Sequence, residues 1–285
     1  MLEAWTPNRI RWSLRKAFLP IRTDDLVLEV GSGSNPHPAA DVLLEKYINQ
    51  THRYAPLVAD RPTILADACR MPFGDKAFDY VIAFHVLEHV TDPAGFLNEL
   101  QRVAKAGYIE TPNVLFERLV PYDVHLSEVM DSNGVLWIKR KTSARPDRFL
   151  NELGLISQSP RWRKFFYENP DLFHVRFFWK DTIQYKILNP EESCEWFQEP
   201  VVEIPANDNF DQREHITNLR SLGLSLLRRW YRFRKTSSIS VEKLLACPQC
   251  HGKLEITAAA YVCESCDLRY ARLPLPDFNT SRSLK

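Results

Sequence analysis

The run Leu28-Glu29-Val30-Gly31-Ser32-Gly33-Ser34-Asn35-Pro36 ends an apolar, strand-like stretch in an acid and then two glycines one residue apart. Glycine suits a sharp turn out of a strand because it takes positive φ cheaply and puts no side chain between the backbone and a ligand. Two further strand-like runs end in acids at Glu45 and Asp67, and Phe78-Asp79-Tyr80-Val81-Ile82 follows. In doubly wound folds that end of the strands is where ligands bind. The ordered set reads as a site for a nucleoside-bearing cofactor. Glu29 either holds an amino group of that cofactor, directly or through water, or is simply a strand-end acid.

A second constellation lies near the C-terminus. Cys247-Pro248-Gln249-Cys250 and Cys263-Glu264-Ser265-Cys266 are separated by twelve residues. Two such knuckles can set four thiolates around zinc in a tetrahedron. Disulfides are the competing reading in an oxidising compartment, and a redox Cys-x-x-Cys would need a thioredoxin-like context that the chain lacks. A module this small rarely buries enough surface to fold alone, so metal would supply the missing free energy.

Histidines form the third group. His85-Val86-Leu87-Glu88-His89 matches an inverted zinc-protease pattern, which requires both histidines one turn apart on a continuous helix. Here the motif follows a buried strand and precedes a fresh helix start at Asp92-Pro93, so that reading is disfavoured. His85, after the fourth strand, and His125, in Pro121-Tyr122-Asp123-Val124-His125, are the candidate general bases, since histidine suits proton transfer near neutral pH. A packing role is expected for His89.

The elements that must position these groups alternate short β-rich runs with polar or helical connections, which argues for an α/β fold with a mostly parallel sheet. Strands are predicted at 26–30, 42–44, 63–66, 80–84 and 107–110. The clearest helix opens at Thr91-Asp92-Pro93 and carries Phe96, Leu97, Leu100 and Val103 on one face. Asn133-Gly134 between β-like runs predicts a hairpin. The aromatic stretch 162–188 is expected to form a sheet edge and core, with 177–179 and 183–188 as two antiparallel strands; an aromatic substrate wall is the alternative. Residues 212–235 combine Arg213, Arg220, Arg228, Arg229, Arg232, Arg234 and Lys235 with leucines and aromatics. That basic helix would either pack between domains or rest on an anionic membrane surface or RNA.

Leu28–Gly33, Ala66-Asp67-Ala68, Met71-Pro72-Phe73, Phe78-Asp79-Tyr80-Val81 and Val86-Leu87-Glu88-His89-Val90, in this order, resemble the class I S-adenosylmethionine-dependent methyltransferases over about residues 25–115. The resemblance implies a Rossmann-like doubly wound sheet and the cofactor S-adenosylmethionine. It sets Gly31 and Gly33 against the methionine part, Glu45 on the ribose hydroxyls, Asp67 with Ala68 at the adenine, and His85 along the cofactor pocket. Glu45 lies twelve residues after Gly33, where a crossover of about 20 is usual. The first helix must therefore be short, as Asn35-Pro36-His37-Pro38 also requires; otherwise Asp60 is the ribose acid. Residues 244–270 with Leu275-Pro276-Asp277-Phe278 resemble the small zinc-ribbon activators of methyltransferases that act on tRNA and translation factors, with Pro274 where those proteins usually carry glycine.

The expected organisation is a methyltransferase domain over 1–205, a linker and basic helix over 206–240, and a zinc ribbon over 241–285. A net charge of +1 singles out neither nucleic acid nor an acidic substrate as partner. No apolar run approaches the roughly 18 residues of a membrane span, and the N-terminus lacks the apolar core of a signal peptide. A cytoplasmic protein is expected, peripheral at a membrane if the basic helix binds one. The Asn/Asp-Pro-Pro-aromatic motif of nitrogen-methylating nucleic-acid enzymes is absent, and Thr111-Pro112-Asn113 stands in its place. The expected acceptor is a hydroxyl or carboxyl of a small molecule or glycan. An RNA- or translation-factor-modifying enzyme and a non-catalytic adaptor are the alternatives.

Overall fold

The computed structural model describes residues 8, 12, 15–48, 56–143, 159–197, 240–272 and 274–283. The basic stretch 212–235 and the linker before it lie outside the described residues. The chain divides into two compact units, one of residues 21–80 with 199–285, the other of residues 1–20 with 81–198.

In the first of these units, β1 (Val27–Val30), β2 (Val42–Glu45) and β3 (Thr63–Leu65) are buried along their whole length. They pair in parallel, Leu28 opposite Val42 and Leu44 opposite Ile64. Strands covered on both faces need near-continuous apolar residues, which is how these runs read. The link from β1 to β2 holds turns and no helix, as the two prolines require. Side chains replace helical hydrogen bonds there. The His37 amide donates to Glu29 Oε2 at 2.6 Å, the Val27 amide to Asp41 Oδ2 at 2.8 Å, and the Arg61 guanidinium to the carbonyls of His37 and Ala40 at 2.9 and 2.5 Å. β4 (Phe78–Phe84) begins in this unit, where the Leu26 amide donates to Asp79 Oδ2 at 2.9 Å.

In the other unit, α1 (Pro93–Val103) is capped by Asp92, which accepts from the Gly95 amide, and buries Phe96, Leu97, Leu100 and Val103. β5 (Ala104–Pro112) follows without a loop because Ala104 is already extended, at φ −130° and ψ 160°. Then come α2 (Val114–Leu119), β6 (Ser127–Ser132), β7 (Val135–Arg140), α3 (Pro160–Glu168), β8 (His174–Lys180) and β9 (Tyr185–Ile187). The hairpin of β6 and β7 turns at Asn133 and Gly134, both with positive φ (52° and 76°), as a two-residue turn between twisted strands demands. The predicted pairing of 177–179 with 183–188 is corrected. β8 pairs antiparallel with β5, forming the expected antiparallel edge, whereas β9 pairs in parallel with β7 in a separate three-stranded sheet. Phe173, Phe177 and Trp179 are buried, but Phe165, Tyr167 and Phe178 stay exposed, so only part of the aromatic stretch is core.

The cysteine module belongs to the unit that holds β1–β3. Its strands β10 (Glu255–Ile256), β11 (Ala260–Cys263), β12 (Leu268–Ala271) and β13 (Asp277–Ser283) form an antiparallel meander. β13 meets β3 in parallel at Asp277 and Leu65, with the Leu65 amide donating to the Pro276 carbonyl at 2.8 Å. A second seam lies just before Cys247: the Ala246 amide donates to the Pro72 carbonyl at 3.0 Å and the Gly74 amide to the Leu244 carbonyl at 2.9 Å. These bonds cover a sheet edge that would otherwise present unpaired backbone groups.

Gly107 on β5 is required by close packing. A Cβ there would lie 2.6 Å from the Val81 carbonyl oxygen and 2.8 Å from the Trp179 ring. Gly107→Ala should therefore destabilise the protein by roughly 1–3 kcal/mol through overpacking, read as a lower urea midpoint, whereas Gly134→Ala should act through its backbone angle alone.

Candidate functional site

The turn leaving β1 is left-handed at both glycines, with φ of 68° at Gly31 and 57° at Gly33. A side chain at either would be strained, so the spacing seen in the sequence is a backbone requirement. The Gly31 amide donates to the Leu44 carbonyl at 2.8 Å, and Glu45 Oε1 accepts from the Ser32 hydroxyl at 2.6 Å and the Gly33 amide at 2.8 Å. Gly31, Gly33 and Glu45 are thus brought together, with Glu45 buried at the end of β2. Glu29 is buried as well and is turned toward the His37 amide.

Asp67 follows β3 in a tight turn, its Oδ1 accepting from the Cys69 amide at 2.8 Å, with buried Ala68 inside that turn. Its other oxygen stands 3.6 Å from Lys46 Nζ. Asp67, Lys46, Tyr47 and Arg70 line an open cavity of about 600 Å³ that Gln249, Tyr270 and Phe278 of the cysteine module also border. Asp60 is paired with Arg61 at 2.7 Å on the surface, outside this lining.

The two candidate histidines belong to the other unit. His85 directly follows β4 and has φ 55°, a conformation that costs a non-glycine residue on the order of 1 kcal/mol or more and is characteristic of functional positions. Its Nδ1 lies 3.3 Å from Glu88 Oε1 and its Nε2 3.5 Å from Glu110 Oε1. Glu110 is fully buried and also takes a two-pronged ion pair from Arg15, at 2.8 and 2.5 Å, and the Tyr108 hydroxyl at 2.7 Å. Burial alone would lower the His85 pKa, but its pairing with the Glu110 and Glu88 carboxylates outweighs that and raises it to about 9. Burial alone would raise both carboxylates; His85, with Arg15 at Glu110, holds them well below the usual range. At neutral pH His85 is therefore an imidazolium, which donates rather than accepts a proton.

His125 sits in a different network. It is buried, with Nδ1 hydrogen-bonded to Glu117 Oε1, and Lys141 Nζ lies 3.3 Å from the other Glu117 oxygen. Its ring meets that of His89 edge to face at 4.7 Å. Leu87–His89 is a single 3₁₀ turn, and the left-handed His85 precedes it, so the helix that the zinc-protease pattern needs does not form.

The four cysteine sulfurs lie within 4.8 Å of one another, Cys250 and Cys263 at 3.5 Å. A zinc–sulfur bond of about 2.3 Å implies sulfurs about 3.8 Å apart, so the donor set fits that ion.

Sequence reasoning missed Arg15, Glu110, Glu117 and Lys141. A glutamate two places after Tyr108 inside an apolar strand was a readable sign of a buried charge. Arg15 gave no local sign, because it meets Glu110 from 95 residues away.

A parallel sheet with a left-handed glycine turn at the end of its first strand is of the Rossmann-like kind. Residues 38–109 match the family described as a methyltransferase domain. Over 43 residues it is 44% identical to ajmaline N-methyltransferase of Rauvolfia serpentina, a match that spans 15% of each chain. Similar solved structures include a possible histamine N-methyltransferase of Thermotoga maritima (20% identity, 38% of this chain and 50% of that one, TM-score 0.29). Another is an S-adenosylmethionine-dependent methyltransferase of Mesorhizobium loti (12% identity, 59% and 96%, TM-score 0.33). A third is a complex between a methyltransferase activator and a methyltransferase of Haloferax volcanii (20% identity, 36% and 53%, TM-score 0.28). Among the described residues no helix is long and apolar enough to cross a membrane.

The raised pKa of His85 has a definite sign. A protonated state favoured by folding stabilises the protein fully below the ordinary value of 6.5, and that contribution is lost as pH rises through about 9. With 42% of the side chain exposed, solvent screens part of it. The His85 ring should titrate near pH 9 by NMR, and His85→Asn should flatten the fall in urea stability between pH 6.5 and 9. A midpoint at the ordinary value would contradict the arrangement.

Proposed function

We propose that the chain is an S-adenosylmethionine-dependent methyltransferase acting on a hydroxyl or carboxyl of a small molecule or glycan. The observation that carries the reading is the left-handed Gly31–Gly33 turn fastened to buried Glu45. Gly31 and Gly33 let backbone approach the amino-acid end of the cofactor, Glu45 takes the ribose hydroxyls, and Asp67 with Ala68 takes the adenine. Glu29 supports the turn through His37. When bound, the cofactor supplies an activated methyl and its own leaving group, so the protein's task is to position the acceptor and handle its proton.

Two observations favour an oxygen acceptor. The Asn113 carboxamide, at the strand end where nitrogen-methylating nucleic-acid enzymes carry their motif, is committed elsewhere: it caps α2 by accepting from the Phe116 amide at 3.0 Å and donates to the Leu172 carbonyl at 2.7 Å. The second is His125. Its Nδ1–H points at Glu117, which leaves the lone pair of the neutral ring on Nε2, the form in which an imidazole accepts a proton or binds a cation. His85, as an imidazolium, serves as an anion-holding donor. The C-terminal module would act as a zinc ribbon in cis, and its bonds to β3 and to Pro72–Gly74 support a helper that covers the sheet edge.

Calorimetry with S-adenosylhomocysteine should show binding to the full chain, weakened by roughly 1–3 kcal/mol in Glu45→Ala and in Asp67→Ala. A folded wild type that binds neither this product nor S-adenosylmethionine would end the reading. Cys263→Ser should lose one zinc equivalent and, because β13 and the Ala246 seam are bonded to the domain, should also lower its melting temperature. Freshly purified, reduced protein without zinc would refute the ribbon.

A further inference from the structure

We propose that Glu88, His89 and His125 together hold a divalent metal ion. One ligand atom from each lies within 4.8 Å of the others. Ligand bonds of about 2.1 Å allow two ligands of one ion to stand up to about 4.2 Å apart, so small side-chain rotations close the site.

The hydrogen bonds around the triad leave the right atoms available. His89 Nδ1 donates to the Val124 carbonyl at 3.0 Å, since a carbonyl only accepts, and His125 Nδ1 donates to Glu117. In a neutral ring fixed this way the lone pair lies on Nε2. A histidine whose other nitrogen is fixed by a carboxylate or carbonyl is the usual arrangement behind a metal ligand, because that bond sets the tautomer and raises basicity. The third ligand supplies the independent sign. Glu88 is 1% exposed; its Oε2 accepts from the Thr111 hydroxyl at 2.8 Å, while among the described residues Oε1 accepts no hydrogen bond. His85 is 3.3 Å from Oε1, at ion-pair distance but without hydrogen-bond alignment. A buried carboxylate oxygen without an aligned hydrogen bond is destabilising, and a cation would remove that cost.

The local sequence builds this geometry. The 3₁₀ turn Leu87–His89 sends Glu88 inward and His89 toward the rim, and the Leu126 amide, donating to the Glu88 carbonyl at 2.6 Å, fixes His125 beside them. Two imidazoles and a carboxylate suit zinc, manganese or iron(II) better than magnesium or calcium, and three protein ligands leave positions open. An acceptor hydroxyl or carboxylate could fill one, and a bound cation would make the hydroxyl easier to deprotonate. That use rests on the methyl-transfer reading; the metal site itself does not.

The test uses reduced full chain carrying one zinc equivalent, enough to occupy the four thiolates and leave the second site empty, titrated with manganese(II) while the free-ion electron paramagnetic resonance signal is followed. One saturable manganese per chain is expected. His89→Gln, Glu88→Gln and His125→Gln should each weaken it at least about tenfold, and Glu117→Gln by about 10–100-fold through loss of the bond that orients His125. Asp131→Asn, on the exposed hairpin, should leave it unchanged. Should the buried variants fail to fold, His89→Gln at the rim still decides. No saturable site in the wild type, or a site that His89→Gln leaves intact, would overturn the proposal. Cofactor calorimetry on the same samples separates this outcome from failure of the methyltransferase reading.

Discussion

A chain that leaves a fully buried strand must reverse within a few residues without abandoning its backbone polar groups. At the end of β1 that constraint is met by two left-handed glycines, by the Gly31 amide on the Leu44 carbonyl, and by one carboxylate, Glu45, that takes both the Ser32 hydroxyl and the Gly33 amide. The first strand, the second strand and the glycine turn are thereby one hydrogen-bonded object. The short link to β2 follows from it, because there is no room for a helix and side chains such as Glu29, Asp41 and Arg61 must satisfy the loop instead. Buried polar networks of this type are costly unless complete, so they fix one conformation.

The unit that holds β5 is governed by buried charge. Glu110 and Glu88 are almost wholly removed from water, and an unpaired carboxylate there would be strongly destabilising. Arg15 and His85 compensate Glu110, while among the described residues Glu88 has a misaligned His85 and one hydroxyl. The first of these networks is closed. The second is open by one cation's worth of ligand, which makes it the chemically unfinished part of the unit.

Much of this was legible in the sequence because its causes are local. Glycine spacing, strand runs that are apolar on both faces, the Asp92-Pro93 helix start, Asn133-Gly134 and the paired Cys-x-x-Cys units each record a constraint within a few residues. α2 also had a local sign, Asn113 as its cap, that weak periodicity obscured. What could not be read depends on distant pairing. β8 takes β5 as its partner and β9 takes β7, although 177–179 and 183–188 look like a hairpin, because Asp181, with φ 63°, turns the chain away. The union of Glu88 and His89 with His125 likewise joins residues that only the folded chain brings together.

The central claim is that the glycine turn is a cofactor site, and backbone amide NMR on the full chain tests it at the atoms concerned. On addition of S-adenosylhomocysteine, the Gly31 and Gly33 amides, with those flanking Glu45 and Asp67, should show the largest shifts and saturate together. A folded protein whose shifts fall elsewhere, with Gly31 and Gly33 unmoved at saturation, would contradict it.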